Sequence, residues 1–206
     1  PGSREHLQPL TSADLSNEGF PFGASLEIEI GYATVRASRM TYVGELGWEI
    51  YVPSEMALHV YEILTEKPLV HVGMHAVNSL RIEKAYRHWG HDISDEDNPL
   101  EAGLGFAIAW DKPSGFLGKD ALISQRGSPL KKRLLQFQLN NPEPLLYHNE
   151  PIYRQGKIIG YITSGMYGHH LGGAIGLGYI SDDIGIDENY INESQFEILV
   201  VGELEP

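Results

Sequence analysis

TYVGELGWEIYVP, residues 41–53, reads as two strand-like runs around a Gly-Glu-Leu-Gly turn, and it sets the carboxylate of Glu49 among bulky apolar neighbours. Side chains alternate across a strand, so Glu49 and Tyr51 share one face while Trp48, Ile50 and Val52 take the other. A half-buried carboxylate must find donors or lose solvation energy on the order of several kcal/mol. Glu49 is therefore either a solvated outer-face residue or the polar anchor of a pocket. By pattern alone the first is the commoner case, because Glu is rarely buried. A carboxylate beside a phenol also suits a flat heterocycle that offers an amino group next to a ring N–H, as guanine-like and pterin rings do, because both oxygens accept.

Outward from this predicted hairpin, LEIEIGYATVRASRMTYV alternates apolar and polar side chains with β-branched and aromatic enrichment, the signature of strands. Pro53 breaks the pattern and Ser54 offers an N-cap, after which Met56, Ala57, Val60, Tyr61 and Leu64 recur at helical spacing to about Thr65. GMHAVNSLRIEKAY, residues 73–86, predicts a second amphipathic helix with Met74, Val77, Leu80 and Tyr86 on its apolar face. GLGFAIAW reads as a return strand, and a short helix is expected from about Lys119. Beyond Lys131 the pattern is strand and turn without a convincing helix, and Gln155-Gly156 reads as a hairpin turn. The expected class is α+β: a mixed part over 1–127, then a small all-β barrel or sandwich over 128–206.

The chain has 206 residues, 42% hydrophobic and 21% charged, enough for one large or two small domains. Its formal net charge of -13 repels phosphate backbones and anionic lipid heads, so nucleic acid and membrane surfaces are not expected partners. No run approaches the roughly 18 apolar residues of a membrane helix, and PGSREHLQPL lacks the layout of a signal peptide. Zero cysteines exclude disulfides, thiolate metal sites and cysteine nucleophiles together. A cytoplasmic home, or the mitochondrial matrix in a eukaryote, is the simplest expectation. Residues 1–25 are rich in Pro, Gly, Ser and Asn and start without Met, which reads as a chain beginning inside a longer protein.

Other polar clusters have plainer readings. His88 and His91, with Asp92 beside them, have one-face spacing, but Gly90 lies between them and no third ligand is nearby; capping of a helix-ending loop is the better reading, and no metal site is expected. GHHLGG at 168–173 lacks the spacing of a phosphate-cradling loop and reads as a turn, and SDEDN at 94–98 lacks the Gly and final Glu of a calcium loop and reads as solvated. No Gly-x-Ser-x-Gly elbow supports serine-hydrolase chemistry.

Three blocks in order, YVGELGWEIYVP, MHAVNSLRIEKAYRHWGHDISDEDNPLEAGLGF and FLGKDAL, resemble the folate-binding aminomethyltransferase family of the glycine cleavage T-protein. RASRMTYVGELG and SLRIEKAYRHWG are most similar to the C-terminal portion of FAD-dependent sarcosine and dimethylglycine dehydrogenases, and EPIYRQGKIIGYITSG and AIGLGYI match the family's terminal domain. The resemblance implies a tetrahydrofolate site in which Glu49 binds the pterin ring and Tyr42 lines the pocket, with Tyr51 beside Glu49 and Phe106 as a further aromatic contact. It implies capture of an oxidised N-methyl group as 5,10-methylenetetrahydrofolate in one-carbon metabolism. It also implies that the family's catalytic Asp and the FAD-binding domain lie upstream, so no catalytic residue is assigned here and the chain alone is expected to be inactive. Val77 and Asn78 stand where the T-protein carries Arg-Asp, a departure that favours the dehydrogenase branch. The alternatives are a stand-alone T-protein-like aminomethyltransferase or methyltransferase, and a non-catalytic regulatory module of the same fold.

Overall fold

The computed structural model describes residues 1–206 and divides into two compact units, Pro1–Val77 and Asn78–Pro206. In the first, α1 (Ser3–Leu7) leads through a 3-10 turn to a three-stranded antiparallel sheet, β1 (Ser25–Ile30), β2 (Ala33–Ser38) and β3 (Glu49–Tyr51), in that order. The β1–β2 hairpin turns at Gly31, whose φ of 59° is the left-handed region that glycine enters freely. A Cβ there would also meet the His59 ring at 2.4 Å. The inward row Ile28, Ile30, Ala33, Val35 and Ala37 closes on Val60 of α2 (Ala57–Thr65) and on Leu7, Leu15 and Phe20 from the Pro- and Gly-rich start of the chain. Phe20 is fully buried and meets the Trp48 ring edge-on at 6.0 Å.

The expected hairpin around GELG is corrected by the register. β3 pairs with β2, Ser38 opposite Glu49 and Arg36 opposite Tyr51, so Thr41–Val43 is not a strand and residues 39–48 form the connection. Arg39 and the Trp48 face explain the loop: Arg39 Nη1 donates to the Phe20 carbonyl, and its guanidinium lies 5.9 Å from the Trp48 ring centre. Ser54 opens a 3-10 turn without a side-chain cap; there the Met56 N–H is satisfied by the Pro53 carbonyl.

The unit division falls inside α3 (Met74–Glu83), which is shorter than the predicted 73–86. It ends in a paired backbone stop: Tyr86 N–H donates to Arg81 O and Ala85 N–H to Ile82 O, with Ala85 held at φ 54°. Its buried face is also not the predicted one. Met74, Leu80 and Tyr86 are exposed, while Ser79, Arg81 and Ile82 are buried. GLGFAIAW is likewise no strand: Gly105–Ala107 is a 3-10 turn whose local bonds, Ala107 N–H to Leu104 O and Ile108 N–H to Gly105 O, use the groups a ladder would need. The expected short helix is α4 (Lys119–Arg126).

The remainder is one antiparallel sheet of six strands: β4 (Leu130–Gln138), β5 (Pro151–Arg154), β6 (Lys157–Gly168), β7 (Gly173–Ile186), β8 (Phe196–Val200) and β9 (Glu203–Glu205), ordered β4-β7-β6-β5-β8-β9. Gln155-Gly156 makes the predicted hairpin turn, both residues at positive φ. The sheet curls until the residues after its two edge strands meet, where Asn140 N–H donates to Pro206 O at 2.9 Å. Ile152, Ile162, Ala174, Ile180 and Ile198 fill the inside, and Leu134, Ile175 and Leu177 take Ile82 of α3 on the other face. One short helix was not expected here: α5 (Glu188–Glu193), whose N-cap Asp187 accepts from the Tyr190 N–H at 2.7 Å.

Candidate functional site

In the first unit, the pleat of β3 sorts its residues as the alternation requires. Trp48, Ile50 and Val52 pack against the core, and Glu49 and Tyr51 stand on the open face. Tyr51 Oη donates to Glu49 Oε2 at 2.8 Å, and this bond, with the carboxylate's charge, raises the Tyr51 pKa. The neighbouring row on that face is the exposed pair Arg36 and Glu27, 3.0 Å apart. Tyr42 lies half-buried in the loop before β3, within the same unit. Phe106 belongs to the second unit, where it is 85% exposed in the 3-10 turn. Glu49 and Tyr51 are thus brought into direct contact.

The chemistry of this pair fits a pterin edge. A carboxylate carries about four lone-pair sites, and the phenol occupies one of them, leaving acceptors for an amino group and an adjacent ring N–H. The first unit also has a hollow of about 720 Å³ lined by Leu7, Trp48, Ile50, Leu64, Leu69 and Val70, on the opposite face of β3 from Glu49.

In the second unit the residues read as loop-capping form a buried polar centre. Asp92, 1% exposed, accepts from Arg81 Nη1 at 2.6 Å and from the His88 N–H at 2.8 Å on one oxygen. Its other oxygen accepts from Thr163 Oγ1 at 2.5 Å and Ser164 Oγ at 2.7 Å. Two consecutive strand residues can reach one carboxylate because β6 is bulged at Thr163: Ile162 pairs with Gly178 and Ser164 with Leu177, leaving Thr163 extra. The capping reading of Asp92 holds for the His88 N–H, but the ion pair with Arg81 was not legible. The helical period sets Arg81 off the predicted apolar face of Met74, Val77, Leu80 and Tyr86. Nearby, Asp97 is not the solvated residue its loop suggested: it accepts from Lys132 Nζ at 2.7 Å. Burial pushes its carboxyl up, and the bonds from Lys132 and the Ser94 N–H outweigh this and bring it below the usual carboxylate range.

Above Asp92 opens a cleft of about 200 Å³ lined by Asn78, Arg81, His88, His91, Tyr147, His148 and residues 163–166. The His88 and His91 rings lie 4.5 Å apart. Burial, and then the positive neighbours His91 and Arg81, hold the His88 pKa below its usual value against the pull of Asp92. No group of three or more His, Asp or Glu is placed to hold a metal ion.

Residues 1–112 match the family model of the GCVT N-terminal domain, and residues 132–206 match that of the glycine cleavage T-protein C-terminal barrel domain. The chain belongs to the glycine cleavage T-protein family. It is 40% identical over 212 residues to 4-methylaminobutanoate oxidase (formaldehyde-forming) of Paenarthrobacter nicotinovorans, a match covering all of this chain and 25% of that protein. It is 39% identical to human mitochondrial sarcosine dehydrogenase, over 90% of this chain and 20% of the relative. It is 35% identical to the mouse mitochondrial pyruvate dehydrogenase phosphatase regulatory subunit, over 98% of this chain and 25% of the relative. The chain therefore spans a fifth to a quarter of the length of these T-protein-family relatives. Aminomethyltransferase T of Bartonella henselae shares the fold, with a TM-score of 0.78 at 24% identity, over 98% of this chain and 54% of that one. No helix of this family member is long and apolar enough to cross a membrane.

Proposed function

We propose that this chain is the tetrahydrofolate-binding, one-carbon-transfer portion of an FAD-dependent enzyme that oxidises an N-methyl amine of the sarcosine or dimethylglycine type. The observation that carries the reading is the Glu49–Tyr51 pair, a carboxylate and a phenol side by side on the open face of an otherwise packed strand. Similarity over nearly the whole chain to an N-methyl-amine oxidase and a sarcosine dehydrogenase supports it. Glu49 holds the amino and ring N–H edge of the pterin, Tyr51 fixes the carboxylate's rotamer, and Tyr42 walls the ring. Bound tetrahydrofolate supplies two nucleophilic nitrogens for the one-carbon unit released by amine oxidation. Holding that unit and the acceptor in a reactive geometry is worth roughly 7–11 kcal/mol of a barrier. The facing wall, the flavin and the proton-handling Asp belong to preceding parts of the same polypeptide, in keeping with the relatives' greater length. On this reading the mixed part runs over 1–127 and the barrel over 128–206, a boundary compatible with family matches that end at 112 and resume at 132, and the mitochondrial matrix is the home of a eukaryotic version.

Calorimetric titration of the full-length polypeptide with a reduced folate tests this reading. Glu49→Gln is expected to weaken binding by about 2 kcal/mol or more, roughly thirtyfold, because an N–H pair loses its charged acceptor. Equal affinity after that change, or no heat with the wild type, removes the folate site.

A second reading has its own support in the regulatory-subunit relative, which matches 98% of this chain. In it the fold is kept for regulating another enzyme, and no reduced folate is consumed. Amine-dependent formation of a folate product by the full-length polypeptide decides between the two.

A further inference from the structure

We propose that the cleft above Asp92 binds a small amino-acid zwitterion, with its carboxylate on Arg81 and its ammonium on Asn78. Two side-chain atoms of residues lining this cleft are shut away from solvent without a hydrogen-bond partner: Nε of Arg81, a donor, and Oδ1 of Asn78, an acceptor. Arg81 is 3% exposed and spends Nη1 on Asp92 and on the Tyr86 carbonyl, so its guanidinium is pinned with Nε–H unspent. Buried polar groups left unpaired cost about 1–3 kcal/mol each, so two of them on residues that line one cleft favour a ligand that reaches them with both an acceptor and a donor.

Residues 78 and 81 are three apart on α3, which brings their side chains together on one helix face with Cβ atoms about 5–6 Å apart. In an α-amino acid the carboxylate and the ammonium are joined through a single carbon, the right reach for one donor and one acceptor at that separation. Charge points the same way. Asp92 already neutralises Arg81, and the chain as a whole carries -13, so a bare anion gains little here while a zwitterion adds no net charge. The volume of about 200 Å³ equals roughly seven waters at ~30 Å³ each, room for an amino acid with a short side chain. Met166 supplies an apolar wall, and the Thr163 and Ser164 hydroxyls, both spent on Asp92, make the floor rigid.

The test is a titration of the full-length polypeptide followed by amide NMR shifts, with glycine, acetate and methylammonium as separate probes. Glycine is expected to give saturable shifts at Asn78, Arg81 and residues 163–166, with acetate and methylammonium each at least about tenfold weaker. Asn78→Leu should weaken glycine by at least about tenfold and leave acetate unchanged. The near-isosteric Asn78→Asp keeps an acceptor in place and should retain glycine while gaining methylammonium, which preserves the test if the leucine variant does not fold. Acetate binding as tightly as glycine would mean a simple anion site, and no saturable shift with glycine would mean that the cleft holds only water. Either result overturns the proposal, as does glycine affinity indifferent to Asn78→Leu.

Discussion

Asp92→Ala should be among the most damaging single substitutions in the second unit, and the size of the loss can be worked from its partners. The Arg81 and Asp92 side chains are 3% and 0% exposed and 2.6 Å apart. Removing the acid leaves a guanidinium buried without its counter-charge, which costs about 3–5 kcal/mol. The Thr163 and Ser164 hydroxyls and the His88 N–H lose an acceptor at the same time. Thr163 can turn its one hydroxyl proton to the Leu177 carbonyl at 3.1 Å, and water can enter from the cleft, so these losses are not additive. The expected net loss is about 4 kcal/mol, a large part of the roughly 5–15 kcal/mol that holds an ordinary domain folded. Urea unfolding is the assay, read in a Trp48→Phe background so that fluorescence reports on Trp89 and Trp110 of the second unit alone. The companion substitution is Arg81→Met with Asp92→Leu, which replaces the charges by apolar volume and should recover at least about 2 kcal/mol of the single variant's loss. A loss below about 1 kcal/mol for Asp92→Ala, or a double variant no better than the single one, would refute the idea that an unpaired buried charge sets the cost.

His88 should make stability fall as the solution is acidified. Its folded pKa lies below the unfolded value of about 6.5, so it imposes no cost above that pH and penalises the folded state progressively as pH falls below it. Thermal melts between pH 7.5 and 5 should fall less steeply for His88→Gln than for the wild type, and parallel curves would count against this account. Gly160→Ala should destabilise by about 2 kcal/mol or more in urea, because an added Cβ would sit 1.8 Å from the Tyr179 carbonyl oxygen and backbone cannot swing aside as a side chain can. Ala85→Gly should stabilise by up to about 1 kcal/mol, since Ala85 closes α3 at φ 54°, where a Cβ is strained. An unchanged urea midpoint would mean that glycine's freedom in the unfolded chain cancels the relief.

Alternation and helical period determined much from the sequence alone: the α+β class, β1 and β2, the face-sorting of Glu49 against Trp48 and Ile50, α2 to its last residue, and the β-rich remainder with its Gln155-Gly156 turn. These are short-range properties, set by which side chains a pleat or a turn of helix places together. Tertiary structure decided the rest. β3 could have paired with the residues just before GELG, but it pairs with the edge of β2 instead, and only the folded sheet chooses between edges. The apolar face assigned to α3 is exposed, and an arginine is inside, because what makes Arg81 an interior residue is an acid eleven positions away and two hydroxyls on a bulged strand more than seventy away. Burial of a charge depends on partners that meet through the fold, and local sequence carries no record of that meeting.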